Sequence, residues 1–330
     1  MAAQPNTIAW MEPPLDRSST WPYIDGEPGP FHYARNAHPV GVEAERVLGE
    51  LEGGDALLFS SGMGAETALV LALLSPGSTI ALAQDAYYGT GVLFTELERW
   101  GLQHVLFDQT GPPPPGADLV WVEAPSNPLL TMPDFEAAAA HSGLVVCDAT
   151  AATPVHLRPL ELGCDLVLHS ATKYLAGHHD VLLGAVVCKS AAHTARLHEL
   201  RTRTGIVAAP DAAWLLVRGL KTLEVRVSRQ SQTARILAER LEEHERVTNV
   251  RYPGFGAMLS FDTADGAGAR RVETATTLIV NATSLGGVQS TIETRHRWEG
   301  DRVPKNLLRL SVGLEDVEEL WTDLEQALAG

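Results

Sequence analysis

Short apolar runs, each closed by a polar or small residue, recur along the first two-thirds of the chain and alternate with stretches of helical period. Runs at 56–60, 79–83, 104–107, 119–123, 144–148, 166–169 and 182–188 are nearly continuous in aliphatic residues, which predicts strands buried on both faces. Between them the pattern predicts helices over 42–51, from after Ser61-Gly62-Met63-Gly64 to about 74, over 93–100 and over 134–141. Val47, Leu48 and Leu51 share one face of the first helix, and Ser75-Pro76-Gly77 ends the second. Four consecutive prolines, Pro112 to Pro115, exclude helix and central strand and must form a loop. Strands alternating with helices predict an α/β chain with a mostly parallel central sheet. A long helical stretch, roughly 211–244, leads to a smaller α/β region with strand candidates at 258–262 and 277–280 and a last helix at 315–328. The expected organisation is an N-terminal arm (1–25), a large domain (26–229) and a smaller C-terminal domain (230–330).

In an open α/β sheet, residues just past the C-terminal ends of strands face the ligand crevice. Asp148 closes the run Leu144-Val145-Val146-Cys147, and Ser170-Ala171-Thr172-Lys173-Tyr174 follows Leu166-Val167-Leu168. Those placements would gather an aspartate, a serine, a threonine and a lysine around one cavity. A carboxylate beside a pyridinium nitrogen and an amine able to form a Schiff base are what pyridoxal 5'-phosphate (PLP) requires. Hydroxyls beside the lysine suit its phosphate. Each residue also has an ordinary reading: Asp148, with Thr150 two residues on, could cap a helix, and Lys173 could be a solvated charge. Ser61-Gly62-Met63 lies between a strand and a helix, where backbone N–H groups and the helix dipole favour an anion. A dinucleotide reading of Gly62-x-Gly64-x-x-Thr67, with Asp85 downstream, lacks the third glycine.

The ordered set of motifs resembles the Cys/Met-metabolism PLP-dependent enzymes over about 13–327. The motifs are Ser170 to Tyr174 with Gly177-His178-His179-Asp180, Asp148-Ala149-Thr150, Glu123-Ala124-Pro125-Ser126-Asn127-Pro128, Ser60 to Met63, Arg218 to Leu223, Ser284 to Gly287 and Arg309 to Gly313. The resemblance implies a fold type I, aspartate aminotransferase-like PLP-dependent transferase, with the 26–229 domain binding the cofactor. It implies that Lys173 carries PLP, that Asp148, followed by Thr150, keeps the ring nitrogen protonated, and that Tyr87 stacks on the ring and assists proton transfer. The amides of Gly62 and Met63 and the hydroxyls of Ser170 and Thr172 would take the phosphate. Tyr33 and Arg35 would reach the phosphate of a neighbouring subunit, so the expected assembly is a homo-oligomer, a dimer or a dimer of dimers (a homotetramer), with shared sites. Arg309 would grip the α-carboxylate of a small sulfur amino acid, helped by Asn127 and the backbone at Ser284.

This chain also departs from the family pattern. Tyr88 stands where the first glycine of the tyrosine loop is usual, and His38-Pro39-Val40 replaces Asn-Pro-Thr. Thr283 precedes Ser284, where many γ-lyases and γ-synthases of cystathionine carry Glu. Gly89 stands where methionine γ-lyases carry Cys. Segments after Gly254 and between Glu293 and Asn306 are shortened. The implied activity is a PLP-dependent carbon–sulfur lyase of transsulfuration, cystathionine γ-lyase-like first, with cystathionine γ-synthase and β-lyase as alternatives. An aminotransferase fits the fold but not the Ser-Ala-Thr-Lys-Tyr context. A catalytically retired PLP-binding homologue is the non-enzymatic alternative, and an intact set of Lys173, Asp148, Tyr87 and Arg309 speaks against it.

Composition narrows the partners. The chain has 330 residues, 45% of them hydrophobic and 20% charged, ordinary for a globular protein with a sizeable core. A formal charge of −16 disfavours nucleic-acid and anionic-membrane surfaces. No stretch reaches transmembrane length, and the first ten residues lack a basic segment followed by an apolar signal core. Cys147, Cys164 and Cys188 form neither a CxxC pair nor an even framework, which suits a reduced compartment. A cytoplasmic enzyme without nucleic-acid or membrane partners is expected. The 12 histidines show no zinc spacing such as HExxH, and no metal is expected.

Overall fold

The computed structural model describes residues 13–330. The first twelve residues of the expected arm, with the N-terminal stretch read for a signal, lie outside the described residues. Twelve strands run in chain order as β1 (Asp55–Phe59), β2 (Thr79–Ala83), β3 (Gln103–Phe107), β4 (Leu119–Glu123), β5 (Leu144–Asp148), β6 (Leu166–His169), β7 (Gly184–Cys188), β8 (Thr248–Arg251), β9 (Met258–Asp262), β10 (Val280–Asn281), β11 (Thr291–Thr294) and β12 (Leu307–Ser311). The first seven form one sheet in the order β1-β7-β6-β5-β4-β2-β3, and the last five a second sheet, β10-β11-β12-β9-β8.

The large sheet is mostly parallel: β2, β3, β4, β5 and β6 pair in parallel, and β7 runs antiparallel between β6 and β1. Every residue of β4 and of β7 is buried, as helices on both faces require. Trp121 on β4 meets Phe94 edge-on at 5.4 Å, an aromatic contact in the middle of the core. Because the central strands are parallel, their C-terminal ends share one edge, and register pairs Glu123 with Asp148 and Asp148 with Leu168 there.

The helix Leu223–Glu242 ties the two sheets together. The Arg226 guanidinium on it donates to the carbonyls of Tyr174 (2.9 Å) and Gly219 (2.8 Å), and so anchors the loop that carries Lys173. One turn on, the fully buried Gln230 amide donates to the carbonyls of Gly287 (2.7 Å) and Val312 (2.9 Å) beside the small sheet. The expected junction at 229/230 falls inside this helix.

Several elements differ from the sequence expectation, each for a physical reason. The first helix begins at Pro39, three residues early, because the His38 ring caps the Gly41 amide at 3.0 Å. The helix expected over 93–100 spans Tyr88–Leu97 and tightens into a 3₁₀ turn at Glu98–Trp100, since Gly89 and Gly91 hide its first turns from a propensity reading. The long stretch 211–244 is two helices, Pro210–Leu220 and Leu223–Glu242, and 134–141 shrinks to Phe135–Ala139. The strand expected over 277–280 keeps only Val280–Asn281. Upstream of it, the Asp323 carboxylate takes the amides of Thr277, Leu278 and Ile279 at 2.8–3.0 Å, so the backbone wraps a side chain instead of joining a ladder. The polar helix Ala191–Thr204 and the strands β8, β11 and β12 have no counterpart in the sequence expectation.

Candidate active site

Four strand ends converge on a cavity of about 380 Å³, whose other wall comes from the small sheet. Tyr87 follows β2, Asn127 follows β4, Asp148 closes β5, Ser170 and Lys173 follow β6, and Ser284 and Arg309 come from the small-sheet side. Among the described residues none hydrogen-bonds or ion-pairs with the Lys173 amine. Burial pushes its pKa down, the cations Arg309 and Arg295 push the same way, and Asp148 opposes them. A lysine held toward its neutral form inside a cavity is an amine free to act as nucleophile or base.

Asp148 is anchored by its neighbours. Its Oδ1 accepts from the Thr150 amide at 2.9 Å, while the Thr150 hydroxyl accepts from the Ser170 amide at 2.7 Å. Thr150 thus fixes the end of β5 to the loop that bears Ser170 and Lys173. Burial raises the Asp148 carboxyl above the usual range, and the Thr150 hydrogen bonds, His169 and Lys173 pull it back. A cation docked against it would favour the ionised form.

The helix Gly62–Leu73 starts beside Ser170. The Ser61 hydroxyl caps the Gly64 amide at 3.0 Å, and first-turn amides have no intrahelical acceptor. A Cβ at Gly62 would sit 3.1 Å from the Ser170 Cβ, so the absence of a side chain lets this helix start meet the serine. At Gly184 a Cβ would come within 2.0 Å of the Ser61 carbonyl, so β7 can pass behind the same turn only as glycine.

Arg309 is buried in β12. Its Nη1 donates to Asn127 Oδ1 at 2.9 Å and its Nη2 to the Ser284 carbonyl at 2.7 Å and to Glu293 Oε1. Burial, then repulsion from Arg295, brings its pKa down to about 10. Ser284 holds a left-handed φ of 83°, a strained conformation for a residue with a side chain, and its carbonyl is held by Arg309. Tyr87 is half-buried with its ring 4.8 Å from that of Tyr88, and burial followed by Tyr88 raises its phenol well above normal.

Not every expected site residue lines this cavity. The Thr172 hydroxyl turns to the backbone of Leu183, donating to its carbonyl at 3.1 Å and accepting from its amide at 3.0 Å. Gly62, which abuts Ser170, and Met63 are not among the residues that line the cavity. Tyr33 and Arg35 are remote from it: Arg35 donates to the Thr202 carbonyl at 2.6 Å and lies 5.2 Å over the Tyr33 ring.

Sequence reasoning assigned no role to three charged residues on the wall, Glu66, Glu123 and Arg295, or to Arg309's partner Glu293 behind it. The signal for Glu66 was a lone charge in the otherwise apolar Gly62–Leu73 helix. It is 2% exposed, and burial beside Asp148 pushes its carboxyl up to about 8. Glu123, whose Oε2 accepts the Tyr87 amide at 2.5 Å, is raised well above normal by burial and by Asp148. With both held toward the neutral form, the acids do not make the cavity too negative for a phosphate-bearing ligand.

An unpaired, half-buried lysine, an anchored carboxylate, a glycine-started helix against a serine and a buried arginine are the donor set that PLP chemistry uses. The residues present fit that cofactor. The chain matches the Cys/Met metabolism PLP-dependent enzyme family over residues 2–329, and it belongs to that family. Its fold is accordingly that of fold type I PLP enzymes, and it is a PLP-dependent enzyme of the carbon–sulfur lyase group.

Its relatives carry different activities. The chain is 38% identical to the cystathionine gamma-synthase of Mycobacterium tuberculosis over 353 residues, which covers 96% of this chain and 91% of that protein. It is 36% identical to the cystathionine beta-lyase MetC of Bacillus subtilis over 354 residues, covering 96% and 90%. Among solved structures it is similar to the cystathionine gamma lyase CalE6 of Micromonospora echinospora, with a TM-score of 0.91, 37% identity and coverage of 96% and 94%. No helix among the described residues is long and apolar enough to cross a membrane, and no cluster of three or more His, Cys, Asp or Glu is placed to hold a metal ion.

Proposed function

We propose that this enzyme cleaves cystathionine by γ-elimination, giving cysteine, 2-oxobutanoate and ammonia with uptake of one water. The observation that carries the reading is the unpaired Lys173 amine, held toward neutrality in the same cavity as the Arg309–Asn127 pair. PLP, when bound, supplies the electron sink that makes the substrate Cα–H acidic. In this reading Arg309 and Asn127 orient the α-carboxylate, so that the Cα–H faces Lys173. Lys173 would serve as the base for the substrate Cα proton and, once free again, for one from Cβ as the C–S bond at Cγ breaks. Asp148 would favour the protonated ring nitrogen of the cofactor, and Tyr87, kept protonated by burial, would give its proton to the departing thiolate. The Ser170 hydroxyl and the amides of Gly62 and Met63 would take the phosphate, whereas the amide and hydroxyl of Thr172 are both engaged with Leu183. Thr150 and Ser284 hold their neighbours in position.

γ-Replacement on an O-acylhomoserine is the second reading, favoured by the 38% identity to a relative of that name. Incubating the PLP-loaded enzyme with cystathionine, and separately with O-succinylhomoserine plus cysteine, separates the readings by product mass. Cysteine and 2-oxobutanoate from cystathionine support γ-elimination. Pyruvate and homocysteine would replace it with β-elimination, and net cystathionine formation alone would replace it with γ-replacement.

Tyr33 and Arg35, remote from their own cavity, serve in this reading the cavity of a second copy, in a cytoplasmic homo-oligomer. Mixing Lys173→Ala with Arg35→Ala subunits, under conditions that exchange them, is then expected to restore about a quarter of wild-type activity, because half the hybrids' sites carry neither change. Failure to recover activity in hybrids that native mass spectrometry verifies would remove the shared site.

A further inference from the structure

The turn that carries Asn127 is tied to an acid that does not itself line the cavity. Asp85 stands two residues before Tyr87, in the loop that follows β2. Its Oδ2 accepts from the Ser126 hydroxyl at 2.9 Å and from the Thr131 hydroxyl. Ser126 and Thr131 bracket the turn: the Ser126 amide donates to the Thr131 carbonyl at 3.0 Å, and the Leu130 amide to the Ser126 carbonyl at 2.9 Å. Within it, Asn127 presents its Oδ1 to Arg309 at 2.9 Å, and its NH2 has no protein acceptor among the described residues. Beyond the turn, Ser260 donates to the Pro128 carbonyl at 2.8 Å, and Ser260 is the cross-strand neighbour of Arg309. The turn is therefore clamped between the Tyr87 loop and the strand beside Arg309.

The hydrogens of this cluster have fixed directions. Ser126 Oγ receives the Thr131 amide at 3.1 Å, and Thr131 Oγ1 receives the Gln109 side-chain amide at 3.0 Å. Each hydroxyl then has one proton left to give, and Asp85 Oδ2 accepts both. Asp85 Oδ1 is enclosed without a partner, so the acid works through Oδ2 alone. An amide side chain there could keep an accepting oxygen only by burying its NH2 where no acceptor waits. Its neutral oxygen would also hold two hydroxyls more weakly than a carboxylate does.

We propose that Asp85 is a positioning residue for the α-carboxylate grip: through Ser126 and Thr131 it holds Asn127 in register with Arg309 before the amino acid arrives. Donors set in advance bind without the cost of ordering them. Released from Asp85, the turn would have to be ordered by the ligand. That loss falls on ligands that carry an α-carboxylate and spares those that do not. The inference rests on reading Arg309 and Asn127 as that grip, and is independent of which bond is cleaved.

The test is calorimetric titration of the PLP-loaded enzyme with L-norvaline and n-butylamine, which differ only in the α-carboxylate and carry no leaving group at Cγ. The wild-type enzyme is expected to bind norvaline about tenfold or more tightly than butylamine, the scale of one charge-assisted contact. Asp85→Asn is expected to lower that ratio about fivefold, the scale of one ordinary hydrogen bond, by weakening norvaline alone. Asn127→Ala should lower it as much or more. Adding Asp85→Asn to Asn127→Ala should then change it by less than about twofold, since a residue that acts through Asn127 has nothing left to position. A full further loss in the double variant overturns the proposal. So do equal losses for norvaline and butylamine in Asp85→Asn, the mark of a merely structural role. If Asp85→Asn fails to fold, Ser126→Ala carries the same expectations. A ratio lowered in Asn127→Ala but unchanged in the Asp85 or Ser126 variant removes only the positioning role. Equal wild-type affinities, or a ratio unchanged in Asn127→Ala, remove the grip itself and the proposal with it. Inert cystathionine with the expected ratios removes the proposed reaction and leaves Asp85 in this role.

Discussion

The two walls of the cavity are built on different principles. The strand-end wall of Asp148, Thr150, Ser170 and Lys173 is held by short contacts between residues near one another on adjacent parallel strands, most of them to backbone amides. The small-sheet wall is an ionic hub: Glu293 takes hydrogen bonds from Arg309, Arg295 and the Trp298 indole, and Glu299 takes a second one from Arg295. Backbone-anchored groups cannot drift without breaking the sheet, which suits residues that must stay aligned with a cofactor. A charge network can be retuned one side chain at a time, which suits the recognition of varied substrates. In the proposed reading, cofactor chemistry and substrate choice are therefore separable in this site.

That separation can be broken experimentally, and the largest effect belongs to the strand-end wall. Lys173→Ala is expected to lower kcat/KM by about 10³-fold or more and to abolish the visible absorbance band on reconstitution with PLP. A retained covalent PLP adduct after borohydride reduction would move the attachment point elsewhere.

Arg309→Ala follows, with kcat/KM down about 10²-fold, mostly through KM, while the cofactor band persists. An unchanged KM would mean that the α-carboxylate is gripped by another group, and loss of the band would blur the two walls into one.

Glu66 tests the strand-end wall through pH. Its carboxyl rises from an ordinary 4.5 to about 8 on folding, so between those values the native state binds more protons than the unfolded chain. Stability should fall as pH rises through that window, by up to a few kcal/mol in the cofactor-free protein. Glu66→Gln, which cannot ionise, is expected to flatten this slope. Parallel calorimetric melting curves that stay equally spaced from about pH 5 to about pH 8 would refute the assignment.

The smallest effect is expected at the seam between the walls. The Arg302 guanidinium donates to the carbonyls of Gln84 (2.8 Å) and Ala86 (2.7 Å), and so pins the shortened 293–306 segment to the loop before Tyr87. Arg302→Ala should cost about 1 kcal/mol of stability and a few-fold in kcat/KM. Chemical denaturation and steady-state kinetics would read both, and an unaltered pair of values would make the seam irrelevant.

Legibility followed the same division. The strands β2, β4 and β5 and the end of β6 stood out as continuous apolar runs, and the residues just past them could be placed at one edge by the parallel-sheet rule alone. Arg309 was reached through a motif rather than through periodicity. Arg295, Glu293 and Glu299 received no role, because a segment so rich in charge gives no local sign of burial until its partners are known. Glu66 was visible only as one acid in an apolar helix, with nothing local to say that it faces Asp148. Thr172, grouped by sequence with Ser170, turned its hydroxyl to Leu183 because that loop doubles back on β7.

The chain's local pattern determined the α/β class, the parallel strands and the identity of the groups beyond their ends, because strand period and turn chemistry are set by neighbours a few residues apart. Only the tertiary structure decided which charges are buried together. Burial of Arg309 with Glu293 joins partners on adjacent strands, and that of Glu66 with Asp148 joins residues far apart in sequence; both energies depend on how much water the whole fold has excluded.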